Sequence, residues 1–121
     1  MQKIESFTDL ICWKESHKLV LQIYHITASF PKPEKYGLVD QLRRSVVSVT
    51  SNIAEGFSRR GSGEKIHFYY LSKSSLTELQ NQLIIARDIK YINEKQFSEI
   101  FAQSVVSHKL INAFISSAKK L

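Results

Sequence analysis

The sequence predicts an all-α protein, an antiparallel up-down-up-down four-helix bundle. Apolar residues recur every three or four positions along four long segments, which is the period of an amphipathic helix. Only 4 Gly and 2 Pro occur in 121 residues, which leaves few places for the turns that many short strands need. A chain of this length is one domain by size, so we assign a single bundle to residues 1–121.

The four helices are predicted at about 9–30, 35–58, 64–90 and 94–118. Thr8 or Asp9 is a suitable N-cap for the first helix. Pro31-Lys32-Pro33 ends that helix, because proline lacks the amide hydrogen that a helix interior requires. Asn93 followed by Gln96 has the spacing of a capping box, which indicates that the fourth helix begins there.

Three of the helices carry more apolar surface than one bundle core needs. We predict that the main face of the first helix consists of Leu10, Trp13, His17, Val20, Leu21, Tyr24 and Ala28. Its second stripe contains Cys12, Leu19, Ile23, Ile26 and Phe30. The third helix has a second apolar side made of Ile66, Tyr70, Leu71, Ile84, Ile85 and Ile89. Apolar patches of this extent mark protein interfaces, so the sequence predicts a homo-oligomer.

The second helix also carries a row of polar residues at spacings of three and four. We predict that its members form a structural polar network, namely Gln41, Arg44, Ser48, Asn52 and Glu55. Within it, we expect an ion pair between Arg44 and Glu55, with Ser48 and Asn52 around it. Burial of such a network would make the loss of either charged partner costly.

The charge balance favours an acidic partner. Seventeen Lys and Arg residues against 11 Asp and Glu give a net charge of +6, and nucleic acid is the commonest partner of a basic surface. The alternative is a charge that serves only solubility. Composition leaves both interpretations open.

No pattern indicates catalysis or metal binding. The histidines lack the spacings of metal ligands, the single Cys12 falls on an apolar stripe without a base nearby, and carboxylates are scattered singly. We therefore expect no enzyme activity, no catalytic residue, no metal and no cofactor. The lone cysteine, the missing signal peptide and the absence of a long uncharged apolar run lead us to expect a cytoplasmic protein outside the membrane.

Several local patterns resemble one bacterial family, the four-helix-bundle proteins encoded within intervening sequences of large-subunit ribosomal RNA genes. They are Asp9-Leu10 with Trp13, Phe30-Pro31 with Glu34, Tyr36-Gly37-Leu38, Gln41-Leu42-Arg43-Arg44, Ser48, Asn52-Ile53-Ala54-Glu55-Gly56, Arg59, Ser75-Leu76, Glu78-Leu79 and Gln82-Leu83. The resemblance covers about residues 7 to 91, and residues 52–56 are its most specific part. Departures from the family pattern are Cys12, Thr50, Ser72 and Ser74.

The resemblance implies a ring-like homo-oligomer, a pentamer, rather than an enzyme. A related group, the accessory proteins of diversity-generating retroelements, is thought to bind nucleic acid and a reverse transcriptase. The sequence thus supports a sequence-tolerant adaptor for RNA or DNA, in which a ring repeats each basic patch. We expect Arg43, Arg59, Arg60 and Lys65 to contact the phosphates. The alternative is a structural or protein-interaction module that binds a partner protein and no nucleic acid.

Overall fold

A computed structural model describes residues 3–120, and these residues are helical with no strand. The four helices are α1 (Ile11–Thr27), α2 (Leu38–Ser58), α3 (Ser62–Asp88) and α4 (Glu94–Lys119). Short 3-10 turns precede α1 at Phe7–Asp9 and α2 at Lys32–Tyr36. Within residues 3–120, α1 and α3 each pack on α2 and α4, while the diagonal pairs α1–α3 and α2–α4 do not approach each other. The predicted all-α four-helix architecture is confirmed.

The entry into α1 differs from the prediction. Ser6, rather than Thr8 or Asp9, is the N-cap, and it caps the 3-10 turn instead of the α-helix. The Asp9 carboxylate accepts hydrogen bonds from the amides of Glu5 (2.9 Å) and Ser6 (3.1 Å), and these amides hold the pKa of Asp9 below its usual value. Because Asp9 is engaged in this turn, α1 begins only at Ile11.

The core-facing side of α1 is the predicted second stripe, and the predicted main face is only partly covered, with Trp13 and Val20 half-buried against the core. Cys12, Leu19, Ile23 and Ile26 are buried in the core, although the sequence pattern assigns them to the second stripe. Leu21 of the predicted main face is 58% exposed. Two stripes of similar apolar content can be told apart only by the neighbours that cover them, and α2 and α4 cover this one.

α2 and α3 pack against each other through small and hydroxyl-bearing residues. The buried Ser72 hydroxyl donates to the carbonyl of Val49 at 2.7 Å, and the Ser48 and Ser75 hydroxyls lie 2.8 Å apart. Near the end of α2, a Cβ placed on Gly56 would come within 2.5 Å of the Tyr69 ring. Glycine at this position therefore lets the backbone of α2 lie directly against an aromatic ring of α3.

We predict that Gly56→Ala destabilises the protein by about 2 kcal/mol, because the added methyl group overlaps a buried ring that has no room to move. This loss should appear even though Ala is the better helix former by about 1 kcal/mol. The measurement is the free energy of unfolding in urea. Gly63→Ala is the matched control, since nothing lies within 4 Å of a Cβ there. Equal stability of the two variants would contradict the close approach.

Candidate nucleic-acid interface

The four predicted phosphate-binding residues lie at two different ends of the bundle. Arg43 follows the start of α2, beside the end of α1. Arg59, Arg60 and Lys65 surround the connection between α2 and α3. The sixteen helical positions from Arg43 to Arg59 correspond to roughly 24 Å along the axis. These residues therefore cannot act as one patch within a single subunit.

Arg43 is held against α1 by contacts that leave its charge unneutralised. Its Nε donates to the Thr27 hydroxyl at 3.0 Å, and a terminal nitrogen lies 3.5 Å from the carbonyl oxygen of Tyr24. The guanidinium also lies over the Tyr24 ring, 4.5 Å from its centroid. Among residues 3–120, no carboxylate lies within ion-pair distance of Arg43. The side chain is therefore both oriented and free of a counter-charge.

Arg43 borders an open cleft of about 420 Å³ between the end of α1, the second 3-10 turn and α2. We call this the corner cleft, and its lining consists of Thr27, Ala28, Phe30, Pro31, Lys32, Lys35, Val39 and Arg43. All three charged residues of this lining are positive. Lys32 and Lys35 were missing from the predicted site, although their position beside the two prolines was a usable signal that this turn is exposed.

The three basic residues at the α2–α3 connection differ in whether their charged groups already contact other residues of the protein. Arg59 forms an ion pair with Glu55 (3.1 Å) and lies over the Phe68 ring at 4.7 Å. Lys65 donates to the carbonyl of Phe57 at 2.7 Å, so it caps the last turn of α2. Arg60 is exposed and has no carboxylate within ion-pair distance in the described part of the chain. Only Arg60 of these three residues is fully available to a ligand.

The end of α4 adds positive charge to the same end of the bundle. Lys119 donates to the Tyr70 hydroxyl at 2.7 Å, and this contact lowers the pKa of Tyr70. Because Tyr70 lies near the start of α3, the contact places Lys119 and Lys120 at the end that also holds Arg60. We call this group the loop-end cluster, and its members are Arg59, Arg60, Lys65, Lys119 and Lys120.

The predicted ion pair between Arg44 and Glu55 is wrong. Arg44 lies 3.8 Å from Asp40, Glu55 pairs with Arg59, and both pairs are solvent-exposed. Eleven residues separate Arg44 from Glu55, and the helical rise makes that roughly 16 Å, which is too far for contact although the two share a face.

The remaining members of the predicted network are divided between packing and solvent. Asn52 donates to the Ser48 carbonyl (2.9 Å) and lies 3.1 Å from the Ser48 hydroxyl, which in turn contacts Ser75. Gln41 is exposed. A short polar contact between α2 and α3 therefore replaces the extended buried network.

Potentially reactive side chains are packed or dispersed. Burial raises the pKa of the Cys12 thiol to about 11 and that of the Tyr69 hydroxyl to about 12, so both groups stay protonated at neutral pH. Residues 3–120 contain no group of three His, Cys, Asp or Glu side chains placed to hold a metal ion. In the same range, no helix combines the length and the apolar character required to cross a bilayer.

The outer side of α3 exposes apolar residues near both of its ends, with the exposed polar residues Ser74, Thr77 and Asn81 between them. We call these apolar residues the α3 outer face, and they are Tyr70, Leu71, Ile84, Ile85 and Ile89. Their exposed fractions range from 36% for Ile84 to 47% for Ile89. Five of the six residues of the predicted second side of α3 are thus exposed, while Ile66 is half-buried and packs on the core.

We predict that Glu55→Ala lowers the free energy of unfolding by less than about 0.5 kcal/mol, because an exposed ion pair contributes little. Ser72→Ala should cost about 1 kcal/mol, since it removes a buried hydrogen bond. Urea denaturation of both variants checks the contrast. If Glu55→Ala lowered the free energy of unfolding by several kcal/mol, Glu55 would have to belong to a buried polar network.

Comparison with known proteins agrees with this architecture. A crystal structure of a protein of unknown function from the S23 ribosomal protein family of Bacteroides thetaiotaomicron VPI-5482 has a TM-score of 0.81 to this chain. The two are 20% identical over 88% of this chain and 96% of that chain, a similarity that shows the fold. No curated protein matches the sequence. The profile of the 23S rRNA-intervening sequence proteins matches residues 8–113, and the chain therefore belongs to that family.

Proposed function

We propose that this protein is a non-enzymatic, oligomeric adaptor that binds RNA or DNA through the phosphate backbone, with little dependence on sequence. The observation that supports this most directly is the set of cations without a counter-charge. Among residues 3–120, no carboxylate pairs with Lys32, Lys35, Arg43, Arg60 or Lys120. Phosphate groups bound at such residues release counterions, which stabilises the complex without reading bases.

The proposed assembly is a ring, and the placement of exposed apolar residues supports it. The α3 outer face lies on one side of the subunit, while Leu21 of α1 (58% exposed) and Val47 of α2 (38% exposed) lie elsewhere. Two different apolar surfaces fit a head-to-tail contact, in which one surface of each copy meets the other surface of the next. Such contacts close into a ring when the rotation between successive copies divides a full turn, and the family resemblance favours five copies. The ring would repeat each basic cluster around its axis.

The second candidate function is a protein-interaction module. The α3 outer face favours it specifically, because an exposed apolar surface of this kind also fits a partner protein. In that case the positive charge serves solubility, and the apolar surface is the functional one. Oligomeric state and nucleic-acid binding, measured separately, distinguish the two functions.

We predict a mass several times 13.9 kDa in sedimentation equilibrium at micromolar concentration, most simply five copies. Ile85→Glu should reduce the mass to that of one subunit, because it places a charge in the proposed apolar contact. Ser98→Glu is the matched control, since it adds the same charge on an exposed position of α4. A monomeric wild-type protein would rule out the ring.

We predict that replacing Arg59, Arg60 and Lys120 with Gln weakens binding to RNA and DNA by similar factors. Lys65 is left in place because it caps α2. The slope of log affinity against log salt should become shallower by about 0.7 for each phosphate group of a single strand that the variant no longer neutralises. Fluorescence anisotropy with labelled strands provides both quantities. If the unmutated protein binds neither RNA nor DNA at low salt, the protein-interaction function replaces this proposal.

A further inference from the structure

We propose that the corner cleft is a phosphate-binding site, and that in the intact protein it takes one backbone phosphate of a nucleic-acid strand. This inference rests on the proposed function and gives it a second contact point. It lies at the opposite end of α2 from the loop-end cluster. Three features of the cleft favour a bound phosphate, namely the charge of its lining, the fixed position of Arg43, and the engagement of the nearby carboxylates elsewhere.

The lining of the cleft carries positive charge alone. Lys32 and Lys35 come from the 3-10 turn, and Arg43 lies on the first turns of α2. In the described part of the chain, neither lysine has a carboxylate within ion-pair distance, and Lys35 has only a contact with the Tyr36 ring at 5.4 Å. Three unpaired cations around one concave surface repel each other, and a bound anion relieves that repulsion.

Arg43 supplies the fixed part of the site. Thr27 is only 3% exposed, its hydroxyl accepts from Arg43 Nε, and the Tyr24 ring supports the guanidinium plane. These contacts leave further N–H donors of the guanidinium available to a ligand. A guanidinium fixed in this way loses little side-chain entropy on binding, and its planar arrangement of donors matches the oxygens of a phosphate group.

The acidic residues that could neutralise the cleft are engaged elsewhere. Glu34 lies in the same 3-10 turn as the two lysines, and its carboxylate is 3.5 Å from the amide nitrogen of Leu38 at the start of α2. Glu34 also interacts with the Tyr91 hydroxyl and raises the pKa of Tyr91. Asp40 pairs with Arg44 at 3.8 Å. Neither carboxylate belongs to the lining of the corner cleft.

The shape of the surface favours a strand over a free anion. A volume of about 420 Å³ exceeds what one phosphate group fills, so there is room for the sugars on either side. A second open cleft of about 500 Å³ shares Arg43 and continues along α2 past the hydroxyls of Ser48 and Ser51. It also contains the carboxylate of Asp40, which is paired with Arg44 at 3.8 Å. A polynucleotide that leaves the corner cleft therefore meets further polar groups, whereas inorganic phosphate would use the first cleft only.

The test compares three variants with the unmutated protein in binding a labelled 20-nucleotide single strand of DNA or RNA at low salt. The cleft variant replaces Lys32, Lys35 and Arg43 with Gln, and the control replaces Lys18, Lys95 and Lys109, which are exposed on α1 and α4, with Gln. Both lose the same net charge. We expect the cleft variant to lose affinity at least tenfold and the control less than threefold. The third variant, Arg43→Lys, keeps the charge but removes the planar donor group, and should lose about threefold.

Equal losses in the cleft and control variants would overturn the inference and leave the proposed function standing, because the strand would then respond to overall charge. An unchanged affinity of Arg43→Lys for the strand would overturn the role of the oriented guanidinium. If the triple variant unfolds, the strand affinity of a double variant, Lys32→Gln with Lys35→Gln, tests the site in a protein that keeps Arg43. Calorimetry with inorganic phosphate separates the sources of the ligand. Suppose that the unmutated protein binds inorganic phosphate but no strand, and that only the cleft variant loses phosphate binding. This result would support the phosphate site and reject the nucleic-acid function.

Discussion

The backbones of α2 and α3 approach each other closely near Gly56, and this contact positions aromatic rings of α3 and α4. Gly56 has no side chain because the ring of Tyr69 occupies that space, and Tyr69 itself is almost fully buried and contacts Phe114 of α4 at 4.6 Å between ring centroids. The serines along the same seam pair with each other and with a carbonyl group instead of filling volume. A seam of small residues lets two backbones approach, and it thereby directs the larger side chains of both helices toward the core or toward solvent.

This packing also explains why α3 exposes apolar residues to solvent. One side of α3 is occupied by α2 and another by α4, so the leucine and isoleucines of the α3 outer face remain exposed, and the Tyr70 hydroxyl accepts from Lys119 at the end of α4. The corner cleft and the loop-end cluster place cations at the two ends of α2, and the exposed ion pairs Asp40–Arg44 and Glu55–Arg59 lie close to the same two ends. The proposed assembly surface and the proposed phosphate contacts therefore use different residues, although Tyr70 of the α3 outer face accepts a hydrogen bond from Lys119 of the loop-end cluster.

The sequence alone was sufficient for the helical class and the number of helices, because apolar residues recur every three or four positions along four long segments. The sequence was insufficient where two structural alternatives fit the same helical periodicity. Leu19 and Leu21 lie on opposite stripes of α1, and only the neighbouring helices decide that the first is buried and the second exposed. Arg44 and Glu55 share a face of α2, but periodicity carries no information on the axial distance between them.

At the candidate site, the remaining differences between prediction and structure come from contacts between residues that are distant in the sequence. Lys65 resembles any exposed lysine in the sequence, yet it caps α2 from the start of α3. Arg43 becomes an oriented donor only because Thr27 of α1 lies 3.0 Å from it. The corner cleft was missed because its lysines come from a turn that the sequence marks only as a helix breaker. Its lining forms only when α1 and α2 fold back on each other.

We propose that basic sites repeated on several subunits act together on one nucleic-acid strand. The most direct test of this proposal is the salt dependence of binding by the unmutated protein to single strands of about 15 and about 60 nucleotides. If several subunits engage the longer strand, the plot of log affinity against log salt should be clearly steeper for it, since the slope grows by about 0.7 with each phosphate neutralised. The same slope for both lengths, or no binding to either strand at low salt, would contradict the account.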